Sequence, residues 1–558
     1  MKSSHNISLS DTALDGQKTR DSGEIEAQVS TDPPSDNGKQ SKRLSPFWHD
    51  RLVEAGLILS IALYYVIGND NLSIGFLSRL NPLLAVPFLL LFAALCWYRL
   101  PFAVALLPLA LPFYLLHKTV ISHDGFSLIE ISLGVCLAVA VVQLLLQRTR
   151  WQYWLSWQEL RGRFGPFTIP ILVFFVAAAF SIVIAYQKFA AFRTFREEVF
   201  DPLLYVLLAF CCLRSRQDIT RLLLAMLGTG LMVAGVGMIQ YVFFKNEIVD
   251  KFGGISRVSA TYGSANGIGI LFDYVMPIGF ALVVARSTYA LNTLAFWKGR
   301  LLALAFCLIL LPILFLSQSN GAWLAIAIAA LFIAALSIRK RKTLLIAILI
   351  FVVVMGITAF LLRTRITHFL FDNHVDIYNV STVTKRFYLW QSALNMIHDS
   401  PWFGYGMDNW LCHFSVNTSC FTPQLHHYMI VQDPLTHAST DLQLEPDLSH
   451  PHNVFLHVWV SMGIFGLLAF AAILLLFFWL FVRILRYLRS HETKENLYLQ
   501  WMTIGVGAAM LAAMIHGQVD STFLEQDVAF NFWMLVAALL LIRTLSGTPW
   551  RGRLKQSG

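Results

Sequence analysis

"HNVFLHVWVSMGIFGLLAFAAILLLFFWLFVRILRYLRSHETK", His452 to Lys494, decides the fold class. From Ile464 to Val482 it carries no charge. An apolar run of about 20 residues is what a helix needs to cross ~30 Å of hydrocarbon. Histidine and asparagine stand at one lip of the run, and arginines 483, 486 and 489 stand at the other. Long apolar segments of this kind recur from Leu52 to Leu545. The 558 residues are 56% hydrophobic and only 13% charged, more apolar surface than a soluble chain of this size could hide. The expectation is an all-α, polytopic integral membrane bundle.

Reading the runs in order predicts roughly 14 spans. They centre near Leu59, Leu90, Leu107, Cys136, Phe175, Leu207, Met232, Tyr274, Leu308, Ala327, Val352, Leu468, Ala508 and Leu539. The basic loops fix the orientation. Residues 147–163, 214–221, 286–300, 338–342 and 483–494, with the tail 543–555, all fall on one side. By the positive-inside rule that side is cytoplasmic, so both termini are expected inside. The net charge of +9 is then mostly topology, and nucleic-acid binding need not be invoked. The expected divisions are a polar, disordered cytoplasmic tail (1–46), an N-terminal bundle (47–363), a large periplasmic loop (364–451), C-terminal helices (452–545) and a basic cytoplasmic tail (546–558). If the cell is bacterial, the large loop faces the periplasm, and the spans would contact membrane lipids.

Of seven cysteines, five fall in or beside spans and read as packing residues. Cys412 and Cys420 lie in the large loop, on the oxidising side, and are a candidate disulfide.

Basic residues on the outer face run against the orientation rule, so each asks for a reason. Three outer clusters stand out: Lys188, Arg193 and Arg196; Lys251 and Arg257; Lys385 and Arg386. A snorkelling side chain accounts for any one of them. Together they point to an anionic ligand at the membrane surface. Arg386 is the best placed. Thr384 to Ile397 reads as an amphipathic helix with Phe387, Trp390, Leu394 and Ile397 on one stripe. Arg386 then falls in its first turn, where free N–H groups favour anions, and its planar guanidinium suits a phosphate.

His452 would sit at the outer mouth of its span, where an imidazole can take a proton near neutral pH and activate a hydroxyl. An interfacial histidine bonded to water is the plain alternative. Gly463 and Gly466, at helical spacing, read as helix-packing residues.

His452, Asn453, Gly463 and Gly466 together resemble the signature of the O-antigen ligase superfamily: His, then Asn, nine residues, Gly, two residues, Gly. "RFYLWQSALNMIHDSPWFGYG" (386–406) is similar to the family's Arg-led periplasmic helix and its following turn. "SATYGSANGIGILFDYVMP" (259–277) resembles its approach to a mid-chain span. The resemblance covers about Arg193 to Gly466. It implies an inverting, metal-independent glycosyl transfer, without cofactor, from undecaprenyl diphosphate to a glycan or lipid A-core acceptor. Under it, His452 is the base and Arg386 binds the diphosphate, with Arg193, Arg196 and Arg257 beside it. Asn453, His450 and Asn320 are supporting positions. One departure stands out: "SQSNGAW" (317–323) puts Asn320 where the family commonly has arginine, so Lys251 or another outer arginine would have to replace it.

Other classes fit the residues less well. His413, His426, His427, His437, His450 and His452, with Asp433 and Asp447, populate the large loop, but no spacing matches an ordinary zinc pattern. A transporter needs ionisable residues inside several spans. Asp273 is the one clear case, and Glu130 lies near a span end. A non-catalytic scaffold for envelope assembly leaves the outer basic clusters without a purpose.

Overall fold

A computed structural model describes residues 46–550, except 73–74, 122–123, 147–156, 246–247, 249–250, 253–254, 286–293, 338–352, 354–381, 417–419, 421–423, 433–436, 438, 441 and 443–446. The N-terminal tail up to residue 45, residues 551–558 of the basic tail and the span centred on Val352 lie outside the described residues. The chain divides into two compact units, Met1–His49 and Asp50–Gly558. Only the start of one helix is described in the first unit; the other helices and the candidate site belong to the second.

The described chain is all-α apart from two short antiparallel hairpins, Lys118–Ile121 with Asp124–Phe126 and Lys251–Phe252 with Ile255–Ser256. Besides two short helices, Trp157–Phe164 and Trp410–Phe414, the helices are α1 (Pro46–Val66), α2 (Val86–Leu106), α3 (Leu128–Leu146), α4 (Thr168–Ile184), α5 (Lys188–Phe195), α6 (Asp201–Cys212), α7 (Arg216–Phe243) and α8 (Ala265–Val284). They continue with α9 (Leu294–Ser317), α10 (Asn320–Ser337), α11 (Thr382–Asp399), α12 (Val454–Ser490), α13 (Lys494–His516) and α14 (Gln526–Ser546). Among the described residues, 10 helical stretches are long and apolar enough to cross a bilayer.

Apart from the span near Val352, which lies outside the described residues, the difference from 14 has local causes. In α1, Asp50, Arg51 and Glu54 shorten the apolar part. Between α5 and α6 a π-turn, Arg196–Phe200, carries two more carboxylates into the helix. The stretch Pro82–Phe113 counts once by length, yet Arg99 (φ −142°, ψ 61°) breaks α2 into two arms. Ala85 is buried with Tyr64 and Ile67, Arg99 lies 3.7 Å from Asp50, and the Tyr65 hydroxyl donates to the Phe113 carbonyl. Asp50 and Tyr65 are about 22 Å apart along α1 at 1.5 Å per residue. The chain therefore runs down one arm and back up the other, with neither arm as long as a full span.

One helix is enclosed by the rest. Every residue of α14 from Gln526 to Ile542 is buried, and past Asn531 the run is apolar all round, as an enclosed helix must be. Close approach elsewhere depends on small residues. A Cβ on Gly505 of α13 would lie 3.1 Å from the Ile278 Cα of α8, and one on Gly269 of α8 would meet Ser319 and Ala322 at the start of α10. These contacts draw α8, α10 and α13 together. Arg216 of α7 pairs with Glu495 at the first turn of α13 (2.7 Å), and the opposite end of α13 reaches the segment around His452. That second end carries the loop and the site.

Candidate functional site

The site is built where α12 begins. Asn453 caps the helix: its side-chain oxygen accepts from Phe455 and Leu456 N–H, and its amide donates to the Gln518 carbonyl (3.1 Å). The Val454 N–H donates to the Gly517 carbonyl, so the start of α12 is tied to the turn after α13. His452 itself has φ +49°, in the left-handed region that non-glycine residues rarely adopt. Trp390 of α11 reaches its carbonyl at 3.4 Å. Strain of this kind persists where the surroundings over-determine the backbone, as at functional sites.

Held this way, His452 Nδ1 lies 2.9 Å from Asp520 Oδ1. The same carboxylate accepts from Ser521 N–H (2.9 Å) and from Asn266 Nδ2 (3.1 Å, on Oδ2). Asp520 is 4% exposed at its side chain and His452 is 21% exposed. Nε2 of His452 has no hydrogen-bond partner among the described residues, so the Nδ1–H tautomer leaves a free lone pair on Nε2. His450 lies against it, ring centroids 4.3 Å apart, with Nε2 3.5 Å from Glu525 and 3.9 Å from Asp520. His457 completes the group through a 2.8 Å contact to the Ser521 hydroxyl.

The electrostatics separate the two imidazoles outside the spans. Burial, helped by the charge of His450, pushes His452 below the ordinary histidine value, against the pull of Asp520. Burial also lowers His450, but the Glu525 hydrogen bond and the Asp520 charge outweigh it and raise the net value. Burial raises Asp520, and its histidine neighbours more than reverse this, holding the carboxyl well below the usual range. A neutral base backed by a fixed carboxylate results, able to accept a proton on Nε2 and to stabilise the imidazolium that forms.

Residues 305–471 match the family model for O-antigen ligase. This match makes the segment similar to the O-antigen ligase superfamily and supports that family for it. A search of curated proteins returns no match for the chain. The family carries a membrane glycosyltransferase-like function on glycan and lipid-linked substrates in general. The ligase segment contains Arg386, His450 and His452 but ends before Asp520, which comes from the turn between α13 and α14.

Of the arginines flanking the ligase signature, Arg386 is brought to the cluster. Its Nε is buried without a hydrogen-bond partner. Burial lowers its guanidinium and the Asp520 charge opposes that. Since α11 starts at Thr382, Arg386 lies just past the first turn and not within it. The buried stripe of α11 is Leu389, Ala393, Met396 and Ile397, while Phe387 and Leu394 are exposed. Ile397 belongs to both stripes; packing buries Leu389, Ala393 and Met396 beside it and leaves Phe387 and Leu394 outside.

Arg257 also reaches the site. Its Nε donates to the Ser317 carbonyl (3.0 Å) and its guanidinium to Asn266 Oδ1 (2.8 Å), the residue that holds Asp520. It thus lies against the segment that leads to Asn320. Asn320 is exposed at the start of α10, and Lys251's side chain lies outside the described residues. Arg193 and Arg196 are occupied elsewhere. Arg196 pairs with Glu130 (2.7 Å) and Glu197 (2.8 Å), and Arg193 lies 3.6 Å from Asp408.

The two glycines of the signature differ from their expected role. Gly463 (φ +67°) breaks α12, and an added Cβ would strike the Trp402 carbonyl and Phe403 N. Its close neighbour is thus the loop Pro401–Gly406, not a second helix. The break frees Val460 and Ser461 carbonyls, which accept from Tyr405 and Gly406 N–H, and Ile464 N–H donates to the Pro401 carbonyl. The atoms nearest a Cβ on Gly466 belong to Met462, its Cβ first. Cys412 and Cys420 form a disulfide in the loop that follows.

Asp520 is the main functional residue that sequence reasoning missed. A carboxylate in the short turn "GQVDSTFLE" (517–525) is a weak signal, because polar turns between spans are common. By distance alone, His450, His452 and Asp520 could also hold a metal ion, their donor atoms lying within 4.8 Å of one another. His452 Nδ1, both His450 nitrogens and both Asp520 oxygens already make contacts within the protein, and His452 Nε2 does not.

Proposed function

We propose that the protein transfers a glycan from undecaprenyl diphosphate to an acceptor hydroxyl on the periplasmic face of a bacterial inner membrane, with both termini inside. The observation that carries this reading is the His452–Asp520 pair, 2.9 Å apart, beside an arginine whose buried Nε is unpaired. His452 Nε2 removes the acceptor proton as its oxygen attacks the anomeric carbon from the face opposite the leaving group. The carbon–phosphate oxygen bond breaks, and the lipid diphosphate leaves with its electrons. Diphosphate is a good leaving group, so orientation and charge stabilisation supply most of the rate. Arg386 binds the diphosphate through planar charge-assisted hydrogen bonds, and Arg257 takes the place of the missing arginine at Asn320.

The basic loops on one side and the disulfide on the other support the orientation. The reaction needs no metal: proton acceptance and anion binding are each met by side chains. Gene removal should make lipid-linked glycan accumulate, whereas a solute carrier or scaffold leaves that pool unchanged. Activity of purified protein that survives chelation supports the metal-independent route, and loss restored by a divalent cation rejects it.

A further inference from the structure

Asp273 and His516 form an ionisable pair enclosed by α8 and α13, with side-chain exposures of 0% and 1%. Their contact, Asp273 Oδ2 to His516 Nδ1, is 2.6 Å. The remaining oxygen of Asp273 is buried without a partner. His516 Nε2, on the far side of the ring, lies 4.0 Å from Asp520 Oδ2. One imidazole thus faces two carboxylates, and the second is the one that holds the base. The bundle makes room for this ring: a Cβ on Gly321 of α10 would collide with it. Ionisable groups inside a bundle are costly, and apolar packing of equal volume commonly serves stability as well or better. The retained pair therefore asks for a task beyond holding two helices together.

We propose that Asp273 and His516 are positioning residues for the base: Asp273 fixes the His516 ring, and the ring fixes Asp520 against His452. The chain of contacts runs Asp273, His516, Asp520, His452, with Asn266 and Ser521 N–H fixing the remaining directions of the Asp520 carboxylate. The inference rests on the reading of His452 as the base. It also gives the intramembrane carboxylate a role that needs no transport.

The test is steady-state transfer by purified full-length protein, with kcat and donor KM measured separately. Asp273→Asn should lower kcat about 10-fold with KM unchanged, because the group acts through another and touches no substrate. His516→Asn should do the same, and Asp273→Glu should recover part of the loss. In an Asp520→Asn background, Asp273→Asn should cost less than about 2-fold, since the element it positions is already gone. A purely structural pair would lower protein yield and thermal stability and cost kcat equally in both backgrounds. That equality, or an unchanged kcat, overturns the inference. Where Asp273→Asn does not accumulate, His516→Asn carries the same comparison. If His452→Ala is fully active, the base assignment fails instead. If His452→Ala is inactive and Asp273→Asn normal, only this inference fails.

Discussion

Replacing Asp520 by asparagine removes a charge while keeping the shape. The amide oxygen can stay on the Oδ1 side, where His452 Nδ1–H and Ser521 N–H both donate. Its NH2 then faces Asn266 Nδ2, a donor against a donor, because Asn266 Oδ1 is already taken by Arg257. The tautomer of His452 survives, and the lost quantity is the attraction between carboxylate and imidazolium in the transition state. A unit charge pair about 4 Å apart at an effective dielectric of ~20 is worth about 4 kcal/mol. With the proton only partly transferred, the loss is about 2–4 kcal/mol, or roughly 30- to 1,000-fold in kcat. Solvent does not screen this away, since Asp520 is only 4% exposed. The assay is initial-rate transfer from a lipid-linked glycan with donor and acceptor varied in turn. Donor KM should stay within about 3-fold, because Asp520 does not touch the lipid diphosphate. A properly inserted Asp520→Asn protein with kcat within 2-fold of the parent would refute the dyad.

Three other outcomes follow from the same geometry. Arg386→Ala should weaken donor use by about 1.5–3 kcal/mol, seen as a rise in donor KM of roughly 10- to 150-fold, and Arg386→Lys should lose less because it keeps the charge; equal activity of all three proteins removes the clamp. Gly463→Ala should sharply reduce folded protein in thermal-shift or detergent-stability assays, since it combines a positive φ with a clash against the Trp402 backbone, whereas Gly466→Ala, which lacks the positive φ but meets the Met462 Cβ, should destabilise to a lesser degree. His452 must be unprotonated to act, and burial lowers its value. The acidic limb of the kcat/KM–pH profile should therefore fall below pH ~6.5, with activity lost as pH drops through it, and should move lower still in Asp520→Asn, where the group that raises His452 is gone. A limb above pH 7 contradicts this.

Hydropathy alone made the membrane bundle legible, because apolar runs near 20 residues have few other uses. It could not show that Arg99 turns the chain back, since the reversal depends on one residue's dihedrals and an ion pair with Asp50. His452 and Arg386 were legible from their place at a membrane lip. Asp520 and His516 were not: they approach His452 and Asp273 across 68 and 243 positions, and no spacing rule connects them. Asp273 was visible as an intramembrane carboxylate, but its partner was not. Charge on the outer face identified a basic region without telling paired from unpaired arginines, because Glu130 and Asp408, which occupy Arg196 and Arg193, come from other segments. The stripe of α11 was misread for a related reason: where apolar residues extend past one stripe, the neighbours decide which of them are buried.

The most direct measurement is glycan transfer by purified His452→Ala protein, with membrane insertion verified and a lipid-linked donor supplied. The account requires a fall in kcat of at least about 100-fold with donor binding retained. Transfer at the parent rate would contradict it.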